Sequence, residues 1–172
     1  MKTEKLRARV GRQSKSTGGV FGRFDGAVLG WEPADLYKFQ IFSGSPVYSS
    51  KVLPFADGRY FYGASLDYTS VIKDWAGSIY AVEQDVKDVV DRRAIGAELR
   101  YLGKKVTVYS AADYDIFYNE LNNAYVSGTW NPVEGTSLYA TVDFRRVPFL
   151  LTSNALIGQN FDKLTTQCLQ RQ

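Results

Sequence analysis

The chain has 172 residues, with 21 Lys and Arg against 18 Asp and Glu and a net charge of +3. That balance lacks the basic face or stripe that nucleic-acid binding needs, so no nucleic-acid partner is expected. Hydrophobic residues at 45 % exclude a disordered tail, and the absence of histidine removes Ser-His-Asp triads, Cys-His pairs and His-ligated metals.

Aromatic residues make up 15 % of the chain, 12 Tyr, 10 Phe and 3 Trp. Tyr and Phe favour strands, and Tyr and Trp also favour membrane–water interfaces, where an apolar ring carries a polar edge. No run approaches the roughly 18–20 apolar residues of a spanning helix. Met1 to Val10 is basic but has no apolar core, so it does not read as an export signal. Cys168 stands alone and forms no internal disulfide.

Alternation of period two predicts nine strands, over about 4–12, 22–31, 36–43, 58–71, 75–86, 92–102, 105–116, 120–131 and 135–146. The first sets Leu6, Ala8 and Val10 against Arg7, Arg9 and Gly11. A glycine-rich connection follows, Gly11-Arg12-Gln13-Ser14 and then Gly18-Gly19-Val20-Phe21-Gly22-Arg23-Phe24-Asp25-Gly26. One reading is a loop that folds inward and narrows a pore, with Arg12, Arg23 and Asp25 meeting a polar lumen. The other is an ordinary hairpin loop in which glycine supplies a sharp turn. A phosphate-binding loop is a poor reading, since no helix is expected to follow and no Lys-Ser/Thr pair closes the motif.

Further along, Tyr60, Tyr62, Ala64, Leu66 and Tyr68 oppose Gly63, Ser65, Asp67 and Thr69. Ile95, Ala97, Leu99 and Tyr101 oppose Gly96, Glu98 and Arg100, and Leu138, Ala140, Val142 and Phe144 oppose Tyr139, Thr141, Asp143 and Arg145. All five prolines fall between the predicted strands, where a missing N–H harms no ladder. Tight turns near Pro33, Asp74, Gly103 and Pro132 alternate with longer connections at 13–21, 44–57, 87–91 and beyond Arg146, the short 117–119 link excepted. Short turns at one end and long loops at the other is the layout of outer-membrane barrels. The tail, Asn160 to Gln172, reads as a loop or short helix.

Almost every strand is apolar on one face and mixed in charge on the other, with no amphipathic helix to cover the apolar side. Lipid is the simplest cover. The expected fold is an all-β, antiparallel, up-and-down transmembrane β-barrel in a single segment, with a loop or helix over 147–172. Barrels of one chain have even strand numbers, so nine implies a piece of a larger barrel.

The glycine-rich run resembles the corresponding stretch of bacterial outer-membrane β-barrel proteins. So do Asp113-Tyr114-Asp115-Ile116 with Asn119-Glu120-Leu121-Asn122, and Phe144-Arg145-Arg146-Val147-Pro148-Phe149-Leu150 with Asn154 to Gln159. The pattern is similar to that of large porin-like barrels, some of which follow periplasmic tetratricopeptide repeats, and it covers roughly residues 5–160. The chain departs from it in starting with neither repeats nor a signal. The resemblance implies an outer-membrane location, long loops outside the cell, lipid as a partner, and a periplasmic repeat domain or export machinery as a further one.

A porin-like channel or export barrel passing hydrophilic solute or polymer is the leading expectation. A non-conducting anchor barrel and a soluble β-sandwich that stacks tyrosines on sugar are the alternatives. Candidates to line or constrict the lumen are Arg7, Arg9, Arg12, Arg23, Asp25, Asp67, Glu98, Arg100, Asp113, Asp115, Asp143 and Arg145. Charged rings set ion preference in pores, yet the same residues also suit internal ion pairs that keep charges matched. Carboxylate pairs at i, i+2, Glu83 with Asp85 and Asp113 with Asp115, could in principle catalyse, but a lumen-facing strand shows that spacing everywhere. Neither an enzyme, a metal nor a cofactor is expected.

Overall fold

A backbone whose side chains alternate strictly has one way to satisfy its N–H and C=O groups, which is to pair with neighbouring strands. The computed structural model describes residues 5–15, 19, 22–47, 58–69, 72–87 and 89–146. These form β1 (Lys5–Lys15), β2 (Gly22–Ala34), β3 (Tyr37–Pro46), β4 (Arg59–Thr69), β5 (Trp75–Val86), β6 (Val89–Leu102), β7 (Val106–Asp115), β8 (Glu120–Trp130) and β9 (Leu138–Arg145). Every pair of consecutive strands is antiparallel, and the sheet order is the chain order from β1 to β9. The described residues are thus an all-β meander without helices. The sheet is open, with β1 and β9 as its edges. The loop or helix expected over 147–172, Cys168 and most of the 44–57 connection lie outside the described residues.

The expected sorting of loops by length is corrected. The 87–91 connection is a two-residue turn, because Val89 and Val90 already pair with Val86 and Asp85. Lys87 makes this possible by adopting φ 50°, and its N–H donates to the Gly58 carbonyl at 2.8 Å. Ile116–Asn119 is another tight turn at the same end, closed by Asn119 at φ 56°. Long connections at that end are therefore confined to the β1–β2 and β3–β4 links, while the other end carries the seven-residue link 131–137.

Register assigns each side chain to a face. Of the 20 strongly exposed large hydrophobic residues that lie on strands, 18 share the face of Leu29, Ile41, Ile79 and Ile95. The buried cluster of Phe24, Phe42, Phe61, Tyr80, Val82 and Ala94 belongs to the opposite face. Phe24 on β2 and Phe61 on β4 stand 5.1 Å apart in T-shaped contact, although β3 runs between them and their backbones are about 10 Å apart. Rings converge this way only if the sheet curls toward them. The curled side is called the inner face below.

Glycine makes the curl possible. Phe42 pairs directly with Gly63 and Tyr80 with Gly96, and each ring lies over the bare backbone of its partner. A Cβ at Gly63 would meet the Phe42 ring at 2.6 Å and the Ala81 carbonyl at 2.5 Å, and one at Gly96 would overlap Tyr80. Aromatic cover of a cross-strand glycine supplies the packing that the glycine lacks.

Alanine ordinarily improves on an exposed strand glycine, but here the sign reverses. Gly63→Ala and Gly96→Ala each lower stability by about 1–3 kcal/mol through overpacking. Gly128→Ala is the control, since its Cβ would find only ordinary contacts of 3.5 Å or more, and it changes stability by less than ~0.5 kcal/mol. Urea midpoints followed by tryptophan fluorescence check all three.

Candidate functional site: the inner face of the sheet

The inner face has a closed end and an open end. Near the β1–β2 and β3–β4 connections it is filled by the aromatic cluster. Behind that cluster sits a buried polar network centred on Asp113. Its Oδ2 accepts from Arg92 at 2.6 Å and from the Tyr80 hydroxyl at 2.7 Å, and its Oδ1 accepts from Asn122 Nδ2 at 3.2 Å. Arg92 also donates to the Gly19 carbonyl at 3.1 Å. Gly19 is packed so tightly that a Cβ there would lie 2.5 Å from the Tyr80 ring.

Two irregularities bring these groups together. Gln84 pairs with Arg92 while Asp85 pairs with Val90, which leaves Asp91 as an extra residue in β6. Asp113 pairs with Asn123 while Tyr114 pairs with Leu121, which leaves Asn122 extra in β8. A bulge re-aims side chains that regular alternation would place elsewhere. Asn122 turns inward onto Asp113, and Asp91 accepts from Gln84 at 2.7 Å. The ion pair of Arg92 and Asp113 is almost fully buried, with side-chain exposures of 7 % and 2 %. Each charge is therefore held by hydrogen bonds rather than by water.

Toward the other end the inner face becomes an open polar wall. One cross-strand row runs Lys38, Asp67, Ser78, Glu98, Ala111, Tyr125, Asp143. Glu98 lies 3.6 Å from Arg100, whose guanidinium sits 5.3 Å from the centre of the Tyr109 ring. Asp143 pairs with Arg145 at 3.2 Å. Surface pairs of this kind contribute little to stability but keep both signs of charge along the wall.

The register places nine of the twelve candidates on this inner face: Arg7, Arg9, Asp67, Glu98, Arg100, Asp113, Asp115, Asp143 and Arg145. Arg12, Arg23 and Asp25 follow the alternation of Val10 and Ala27 and lie on the other face. Their expected position in a polar lumen is corrected accordingly. Arg12 grips Asp25 in a bidentate pair at 2.9 and 2.8 Å. Arg93 grips Glu83 in the same way at 2.6 and 3.0 Å. Both pairs sit where the apolar face ends, near the same loops.

Asp115 is inward but committed to structure. Its Oδ1 accepts the N–H groups of Phe117 and Tyr118 at 2.8 and 3.0 Å, so it shapes the β7–β8 turn. Among the described residues no group of His, Cys, Asp and Glu is arranged to hold a metal ion. Tyr80, Arg92 and Asn122 escaped the sequence reading. Direct pairing of an aromatic with a glycine was the one available signal for Tyr80, but it needs the register.

The network yields a graded prediction. Asp113→Asn leaves Arg92 as a buried cation against a neutral amide and costs about 3–5 kcal/mol. Asp143→Asn opens an exposed pair and costs less than ~1 kcal/mol. Equilibrium urea unfolding of the two variants side by side checks the contrast.

The comparisons with known proteins supply no relative: no family model, no curated protein and no solved structure matches the chain.

Proposed function

We propose that the nine strands form part of the wall of a porin-like β-barrel in a bacterial outer membrane, with the inner face turned to a polar lumen that passes hydrophilic solute. The observation that carries this reading is the uninterrupted apolar face. One row across it reads Leu6, Trp31, Phe39, Leu66, Ile79, Ala97, Ala112, Ala124, Phe144, from one edge of the sheet to the other. Soluble monomers rarely expose apolar patches beyond a few hundred Å2, and among the described residues nothing covers this one.

The borders of the face support the same reading. Trp31, Tyr37, Tyr68, Trp75, Tyr101 and Trp130 line it at the end of the 35–36 and 103–105 turns, with the Trp75 and Tyr101 rings 4.9 Å apart. Tyr60, Tyr62 and the two bidentate ion pairs line it at the other end. Aromatic girdles flanking an apolar band are the signature of strands crossing a bilayer. From Trp75 to Glu83 the strand covers about 27 Å, or ~20 Å across the membrane at a tilt near 40°. No helix among the described residues is long and apolar enough to cross a membrane, which leaves crossing by strands untouched.

Nine alternating strands leave β1 and β9 running in the same direction. Closure by antiparallel pairing alone therefore calls for an odd number of strands beyond these nine. Unpaired edges facing lipid are costly.

The second reading, a barrel that anchors without conducting, draws on the packed end of the inner face, where Phe24 and Asp113 have lost nearly all exposure. Conductance in planar bilayers separates the two. Steady channels from correctly inserted protein support the pore, and inserted but silent protein supports the anchor. A chain that is monodisperse without detergent and does not partition into membranes defeats both.

Position on the two faces gives a sharper check. Ala97→Arg, in the middle of the apolar face, disfavours insertion into vesicles by about 2–4 kcal/mol. Ser127→Arg, on the inner face, leaves insertion unchanged. Folding yields into vesicles, read from protease protection, compare the two.

A further inference from the structure

The inner face is not uniform in charge. On β1–β3 it carries Lys5, Arg7, Arg9, Lys15 and Lys38 against the single carboxylate Glu32. On β4–β9 it carries Asp67, Glu98, Asp113, Asp115, Glu120 and Asp143 against Arg59, Arg92, Arg100 and Arg145. Arg92, Arg100 and Arg145 of that second set are bound to carboxylates. The basic wall has fewer such pairs, although Asp67 stands opposite Lys38 and, with Glu98, acts on Lys15. Arg7 reaches Glu32 at 3.5 Å, whereas Arg9 and Lys38 make no ion pair among the described residues. Lys15 donates to the amide oxygen of Gln40 at 2.9 Å and lies 5.0 Å from the centre of the Phe42 ring.

These cations border a groove of about 680 Å3 that Arg7, Arg9, Lys15, Lys38 and Gln40 line. Gly30 forms part of its floor. A Cβ there would make only ordinary contacts, at 3.8 Å with the Phe39 carbonyl and 3.9 Å with the Arg7 carbonyl and the Gln40 amide, so the floor has room without a clash. A cavity with cations of one sign, amide groups and no filling side chain raises the local concentration of anions. Arginine and lysine together suit a phosphate, sulfate or carboxylate group, the first by its forked donors and the second as a point charge.

We propose that this basic groove on β1–β3 is a binding subsite for the anionic group of a small solute, and that it gives the lumen a preference for anions. The subsite rests on the pore reading for its role in permeation. Its chemistry does not depend on that reading, because the charges face the groove whether or not the barrel conducts.

Two measurements on the full chain test it. In planar bilayers under a potassium chloride gradient, the reversal potential has the sign of an anion-preferring channel. Inorganic phosphate lowers the chloride current, and Arg9→Gln with Lys38→Gln removes most of both effects while leaving the channel open. In detergent, the phosphorus resonance of inorganic phosphate broadens on adding the chain and stays narrow with the double variant. Open channels that prefer cations or ignore phosphate overturn the subsite and leave the pore standing. A silent bilayer with phosphate broadening retained overturns the pore and leaves the subsite. Wild-type chain that neither broadens phosphate nor prefers anions means that the cations are matched by other groups, and the subsite is wrong.

Discussion

The structure depends on one constraint: in a meander whose backbone groups are used up by neighbouring strands, side chains have two faces to occupy and no third. A residue moved by one position changes environment completely. Most exposed aliphatic and aromatic side chains take one face and most charges the other. At the end near the β1–β2 and β3–β4 connections, however, the cluster of Phe24, Phe42 and Phe61 lies inside, and the pairs of Arg12 with Asp25 and Arg93 with Glu83 lie outside. Where β6 and β8 need a side chain against the alternation, an extra residue is inserted, and Asp91 and Asn122 are those insertions. The buried network around Asp113 follows directly from these departures.

Curvature and polarity are linked through glycine. Gly63 and Gly96 lie on the inner face, where Phe42 and Tyr80 fold onto them and let neighbouring strands draw together. Tyr80 serves both purposes, covering Gly96 with its ring and donating its hydroxyl to Asp113. Loss of the glycine therefore disturbs packing and polar network together. Gly19 meets the same ring, which ties one described point of the β1–β2 connection to the wall it faces.

Much of this was legible in the sequence. The alternation placed all nine strands, and β5 was placed at both ends, because Asp74 and the Val86-Lys87 step end its pattern cleanly. The start of β6 was missed because Val89-Val90-Asp91 breaks period two. The break was a bulge, and reading it as a loop also created the false long connection. An inward-folding glycine-rich loop would carry Arg12, Arg23 and Asp25 into the lumen. These residues instead belong to β1 and β2, and Arg12 lies two residues after Val10 and so shares its face. The pairing of Arg92 with Asp113 was out of reach, since it spans 21 residues and depends on register at two bulges.

The central claim is that the apolar face is covered by lipid and the inner face by water or protein. It is tested most directly by a nitroxide scan along β6, after replacing the native Cys168. Labels at single cysteines at 95 and from 97 to 101, in protein folded into vesicles, would be read for collision with oxygen and with a water-soluble nickel complex. The predicted result is a period of two, with oxygen favoured at 95, 97, 99 and 101 and nickel or immobilisation at 98 and 100. Nickel collisions of equal strength at every position, or no vesicle-bound label at all, contradicts a lipid-covered sheet.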